Sequence, residues 1–262
     1  MSADLLRLDL TNRRRSTIAY GAGMAAYALV IVALYPAFKN ASSLDQLIKS
    51  GTGIAALFGI SGSLTSPGGW LNANFDANLF PLVMLMLTIG YGAAAIAGQD
   101  EDGTLGLLAS LPVSRSRIIL EKAGAMAAMG LVIALGVAAC TLAGRAFELP
   151  AAAGAVLGVS ASVLLLGLDF GLIAMAIGAA HGRRGAALGV PTALAAASYL
   201  LSSLAPIISW LQPAKYLSLF YWSVANQQIV NGVSPVDYAV LLGVGLVALW
   251  AADVAFRRLD VR

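Results

Sequence analysis

Charge is scarce in this chain. Asp, Glu, Lys and Arg make up 11% of its 262 residues, against roughly 25% in a soluble domain, while apolar residues reach 59%. A soluble fold of this length cannot hide so much apolar surface, which excludes an ordinary water-soluble enzyme or binding module. Cysteine is nearly missing. Cys140 stands alone in the middle of an apolar stretch, so neither an intrachain disulfide nor a cysteine-based metal site can form. Histidine is equally rare. His181 is the single one, which rules out paired-histidine metal sites, and no G-x-S-x-G elbow supports a triad built on it. No phosphate-binding loop is present either. Such a loop needs Gly before its Lys, and Lys39, Lys49, Lys122 and Lys215 follow Phe, Ile, Glu and Ala. The chain is therefore assigned no catalytic, cofactor-binding or metal-binding residue.

Long apolar runs are what the sequence has in quantity. Six of them, at about Ile18–Ala37, Leu79–Ala97, Gly124–Ala143, Ala152–Ala180, Ala186–Trp210 and Tyr238–Phe256, approach or exceed the roughly 20 residues that cross a hydrocarbon layer. Backbone groups in lipid must be satisfied within their own segment, so each run is predicted to be a helix. The expected fold is all-α and polytopic, with six transmembrane helices and short interfacial helices. The run after Arg13, Arg14 and Arg15 is too long for a secretory signal core and is read as a retained first span.

Basic residues set the orientation. With both termini in the cytoplasm, the inner segments carry twelve of the sixteen Lys and Arg residues, and the outer ones keep Lys39, Lys49, Arg145 and Lys215. No basic stripe with interleaved aromatics points to nucleic acid. The whole of 1–262 reads as one membrane domain, with 38–78 and 211–236 outside. Residues 1–15 form either a short amphipathic interfacial helix or a basic tail. In the first outer segment, LDQLIKSGTGIAALFGI reads as a surface helix, PGGWL as a turn, and Trp70 and Phe75 as boundary aromatics. The aromatic-rich 211–236 segment is too broken to span and is expected to cap the outer face.

Residues 98–122, GQDEDGTLGLLASLPVSRSRIILEK, contrast with everything around them. Asp100, Glu101 and Asp102 suit the start of a short helix, Leu105, Leu108 and Leu111 share a face, and Pro112 stops it. Such a helix suits docking in another protein's groove, or resting on lipid headgroups. Asp169 lies far from either end of the fourth apolar run. A carboxylate there is costly, and it is a candidate either for the substrate pathway or for a polar contact between helices. Gly167 and Gly171 flank it at a spacing that lets a neighbouring helix come close. Asp253 and Arg257 read as an ordinary i,i+4 pair.

The run EDGTLGLLASLPVSR at 101–115, followed by Ile119 and Lys122, resembles the cytoplasmic signature of ABC-2-type transporter permeases: acid-x-Gly-Thr-Leu, apolar residues, Pro-Val-Ser-Arg, then Lys at the next span. The charged N-terminus, the six spans and the aromatic outer segment extend the likeness to nearly the whole chain. The consecutive acids depart from a glutamate pair but keep its charge. The resemblance implies the membrane subunit of an ATP-driven exporter. Two such subunits, identical or similar, would work with two separate ABC ATPase subunits that bind ATP and Mg. Glu101, Asp102, Gly103, Thr104, Leu105, Leu108, Pro112 and Arg115 would carry the coupling to the ATPase. An apolar pathway suits a drug, antibiotic or lipid as cargo, and the Ala/Gly-rich spans suit a bacterial inner membrane. The rival readings are an ion-coupled secondary carrier that protonates Asp169, a membrane-embedded enzyme, and a purely structural membrane protein.

Overall fold

The structure, a computed structural model, describes residues 4–40, 63–106, 113–225, 228–232 and 234–259. Six helices are long and apolar enough to cross a membrane, and no strand occurs among the described residues. We number the main helices α1 (Asp4–Phe38), α2 (Leu79–Ala93), α3 (Arg115–Leu142), α4 (Ala153–His181), α5 (Arg184–Leu204) and α6 (Pro235–Arg258). The surface helix expected within LDQLIKSGTGIAALFGI lies outside the described residues, as do Leu108, Leu111 and Pro112.

Helix α4 is the centre of the bundle. It packs against α2, α3, α5 and α6, while α1 packs mainly on α3. Inside the protein lie 72% of the apolar stretch that contains α2 and 61% of that of α4, against 22% for α6. Small residues permit this centrality. A methyl at Gly92 of α2 would land on the carbonyl oxygen of Gly171 in α4, and one at Gly171 would come within 2.9 Å of Thr88. A methyl at Gly167 would lie 2.5 Å from Met84 Cγ. The Gly167 and Gly171 spacing thus does what it suggests, and the neighbour is α2.

Four boundaries differ from the sequence reading. PGGWL is helical, because Pro67 opens a helix at its first turn and the Ser66 hydroxyl accepts from Gly69 N–H at 3.1 Å. The second membrane helix accordingly begins near Pro67, running through a π-helical turn at Asn72–Asp76 into α2. Trp70 and Phe75 point inward, at 6% and 1% exposure. Trp70 Nε1 donates to the Ile31 carbonyl at 2.9 Å, and Phe75 stacks between Tyr27 and Phe80. The N-terminal segment is not a separate helix from Asp4 onward but the opening turns of α1, since no Gly or Pro breaks the chain there. Finally, α5 stops at Leu204 instead of reaching Trp210. Pro206 follows, and the position before a proline disfavours helix.

The segment after α5 is broken, as its sequence suggests, into a 3₁₀ helix at Ser209–Leu217, a π turn at Tyr221–Ala225 and a short helix at Gln228–Asn231. Tyr216, Tyr221 and Trp222 pack on one another with centroids 5.2–5.8 Å apart, and Lys215 Nζ lies 5.1 Å from both tyrosine rings. Helix α6 then starts with a capping box between Ser234 and Asp237.

Candidate functional site

The acids of 98–122 end a helix rather than begin one. A π turn at Ala94–Gly98 and the turn Gln99–Glu101 carry α2 onward, and Gly103, at φ 67°, terminates it. The Thr104 N–H reaches the Gln99 carbonyl at 2.9 Å and the Gly103 N–H reaches that of Asp100 at 3.1 Å. That pair of bonds is a Schellman cap, and it explains the Gly-Thr: glycine takes the left-handed position without a Cβ penalty. Carboxylates are unfavourable at the negative end of their own helix. The fold relieves this by aiming them at a different one. Glu101 Oε1 accepts from the Arg184 N–H at 2.9 Å, at the N-terminus of α5. Asp100 Oδ2 lies 2.9 Å from where a Cβ on Gly182 would stand, and the α4–α5 turn needs glycine there for its φ of 61°.

On the far side of the segment, Ser114 caps α3, and two side chains of its opening turns hold other helices. Arg115 Nη1 donates to the carbonyls of Phe256, Arg257 and Leu259 at 2.9, 3.3 and 2.7 Å, closing the C-terminus of α6. Its guanidinium also lies 5.7 Å from the Phe256 ring. Glu121 Oε2 accepts from the Leu5 and Leu6 N–H groups at 3.2 and 3.4 Å, at the N-terminus of α1. Arg257 bonds Asp253 at 2.7 Å, as its spacing suggests, and Ser116 Oγ at 2.9 Å.

Beside these contacts lies a buried polar knot. Tyr91 Oη donates to Asp9 Oδ2 at 2.6 Å, and Lys122 Nζ reaches the same oxygen at 3.5 Å. Arg13 lies over the Tyr91 ring at 5.1 Å. Lys122 is only 2% exposed, so this ammonium depends on Asp9 for its charge balance. At the opposite end of the bundle, Lys39 pairs with Glu148 on the surface.

The segment residues singled out from sequence therefore divide. Glu101, Asp102, Gly103 and Thr104 are exposed. Leu105 is 1% exposed and packs in the main core, and Arg115 is turned onto α6. Leu108 and Pro112 lie outside the described residues. Sequence reasoning passed over Glu121, Asp9 and Tyr91. Asp9 and Tyr91 are separated by 82 positions, and nothing local marks them as a pair.

Between α1, α2 and α5 lies a groove of about 680 Å³. Tyr20 of α1 lines it, with Leu82, Met86 and Ile89 of α2, Leu188, Thr192 and Ala196 of α5, and Phe220. Its polar end is the bond from Tyr199 Oη to Asn78 Oδ1, at 2.9 Å. Asp169 is not among the lining residues. It is 1% exposed and faces α6, with Oδ1 only 2.8 Å from the place of a Cβ on Gly245 and no hydrogen-bond partner for Oδ2 among the described residues. His181 ends α4 with Nδ1 3.2 Å from the Ile177 carbonyl.

The family model described as "ABC-2 family transporter protein" matches residues 3–261. No curated protein matches the chain closely enough to count as a relative.

Proposed function

Since this chain belongs to the ABC-2 family of transporter proteins, we propose that it is the permease subunit of an ATP-driven exporter. A separate ABC ATPase subunit supplies the energy, and a second permease, identical or similar, completes the membrane unit. The observation that carries the reading is the near whole-length family match, set beside the lack of any phosphate loop in the sequence. The ATPase engages the exposed turn Glu101–Thr104 and the residues that follow it. Leu105, which packs in the core, and Arg115, which is bonded to α6, hold the turn in place.

The cargo is hydrophobic or amphipathic: a drug, an antibiotic or a lipid. The groove supports this, because its walls are mostly leucine, methionine, alanine and aromatic rings, with Tyr199 and Asn78 at a polar end and the Thr192 hydroxyl bonded back to the Leu188 carbonyl. ATP binding draws the partner subunits together, and the effect on the groove requires that ATP favour one state of the assembly over the other. The location in keeping with this role is the inner membrane of a bacterium. Asp169 stands apart from the groove wall, so cargo contact is assigned to the apolar residues and not to this acid.

The test is reconstitution of the chain with its ATPase partner in vesicles, with ATP hydrolysis followed across a panel of amphipathic compounds. Stimulation by members of the panel is the expected result. Stimulation by an inorganic ion, with none by any amphipathic compound, would remove the cargo assignment. Transport driven by a proton gradient with no ATPase present would replace the exporter with the carrier.

A further inference from the structure

Three charged side chains near the exposed turn end on the termini of other helices, each with the favourable sign. Glu101 offers a carboxylate to the N–H groups opening α5. Glu121 offers one to the N–H groups opening α1. Arg115 offers a guanidinium to the last carbonyls of α6. Helix ends leave these backbone groups without intrahelical partners, and the helix dipole favours an anion at the start and a cation at the end. None of these bonds is local, since those of Glu101, Glu121 and Arg115 span 83, 115 or more, and 141 or more positions of sequence. Helices α2 and α3 are continuous with the segment itself. Gly182, against Asp100, brings in the end of α4.

We infer that Glu101, Arg115 and Glu121 are positioning residues that fasten the cytoplasmic ends of α5, α6 and α1 to the coupling segment. A displacement of that segment moves the whole cytoplasmic face together, and not the α2–α3 hairpin alone. The inference rests on the exporter reading for what moves the segment. The fastening itself belongs to this chain. Arg115 is its strongest point, because its Nη1 reaches three carbonyls at the end of α6 while the guanidinium also lies against the Phe256 ring. The knot of Asp9, Tyr91 and Lys122 lies beside the Glu121 contact and stiffens the same corner.

Two measurements on the full chain test this. In the first, Cys140 is replaced by Ala and spin labels are placed at the exposed positions Thr104 and Arg258. The distance distribution is then recorded for the permease alone, and for its complex with the ATPase with and without ATP. With Arg115 present, one narrow distribution is expected that ATP does not change. Arg115→Ala is expected to broaden it, and Arg115→Lys to broaden it less. In the second, transport of a fluorescent amphipathic compound per ATP hydrolysed is measured for the complexes without spin labels. Loss of the charged bonds of Arg115 is expected to lower that ratio about tenfold, with Arg115→Lys in between. Glu121→Gln keeps an acceptor oxygen for Leu5 and Leu6 and is expected to hold the ratio better than Glu121→Ala. An unchanged distribution in both Arg115 variants overturns the fastening, and an unchanged ratio beside a broadened distribution overturns its part in coupling. A wild-type chain that binds no ATPase fails the exporter reading instead, and the distances in the permease alone still decide the fastening.

Discussion

Adding one methyl at Gly92 tests the packing that places every other element. The Cβ of an alanine would fall inside the contact distance of the Gly171 carbonyl oxygen and 3.2 Å from the Ala174 methyl. The first neighbour is backbone, so no side chain can swing aside. Helices α2 and α4 would have to part by roughly 1 Å, enough to lose a quarter to a half of the dispersion attraction along the seam. Overpacking of this kind costs about 1–3 kcal/mol, and a rigid neighbour puts Gly92→Ala at the upper end. For a chain of this size that lowers the melting midpoint by about 6–12 °C. Gly136→Ala in α3 is the control, since a methyl there meets nothing within 4 Å and alanine favours helix. The assay is thermal melting of the detergent-solubilised chain, read as the monodisperse fraction that remains. If Gly92→Ala melts within about 2 °C of Gly136→Ala, the α2–α4 seam is not as close as described.

Tyr91→Phe removes the phenol that donates to Asp9, and about 1.5–3 kcal/mol of stability should go with it, read by the same melting assay. Removing the surface partner of Lys39 with Glu148→Ala should produce no comparable shift, because an exposed pair is screened by water. Gly245→Ala pushes a methyl against Asp169 Oδ1, and since a carboxylate can turn away the loss should be smaller, about 1–2 kcal/mol. Asp169→Asn keeps the shape and should retain ATP-driven transport, whereas abolished transport in a folded protein would mean that this acid handles a proton or cargo. Ala196→Trp fills the groove from an exposed wall, and should reduce export of amphipathic cargo while the protein still folds and keeps its ATPase partner.

What the sequence displays is the part of the fold set by the solvent. Six apolar runs and the asymmetry of Arg and Lys suffice for six helices and for gathering their charged ends on one side, where Glu101, Arg115 and Glu121 meet their partners. Local chemistry is legible where the reason is local. Asp253–Arg257 is read as a helix pair from its spacing, and the acidic stretch at 100–102 as a helix terminus. Its direction was harder to read. Three acids favour a helix start, and only the fold reveals that they end α2 and that one of them, Glu101, serves the start of α5. PGGWL misleads for a related reason, because Pro67 is as good at opening a helix as at ending one. Leu105 shows the limit of a helical-face argument, since an apolar residue suited to a partner's groove is equally suited to its own core. The groove is invisible in the sequence because Tyr20, Leu82, Thr192 and Phe220 come together only when α1, α2 and α5 pack.

The central claim is that an ATPase docks on the exposed turn that follows α2. A photo-crosslinking amino acid placed at Thr104, with a second chain labelled at Trp210 at the other end of the bundle, tests it directly in native membranes. The account predicts that Thr104 captures an ABC ATPase subunit and that Trp210 does not. Capture from Trp210, or no ATPase captured from Thr104 in a folded and labelled chain, would contradict it.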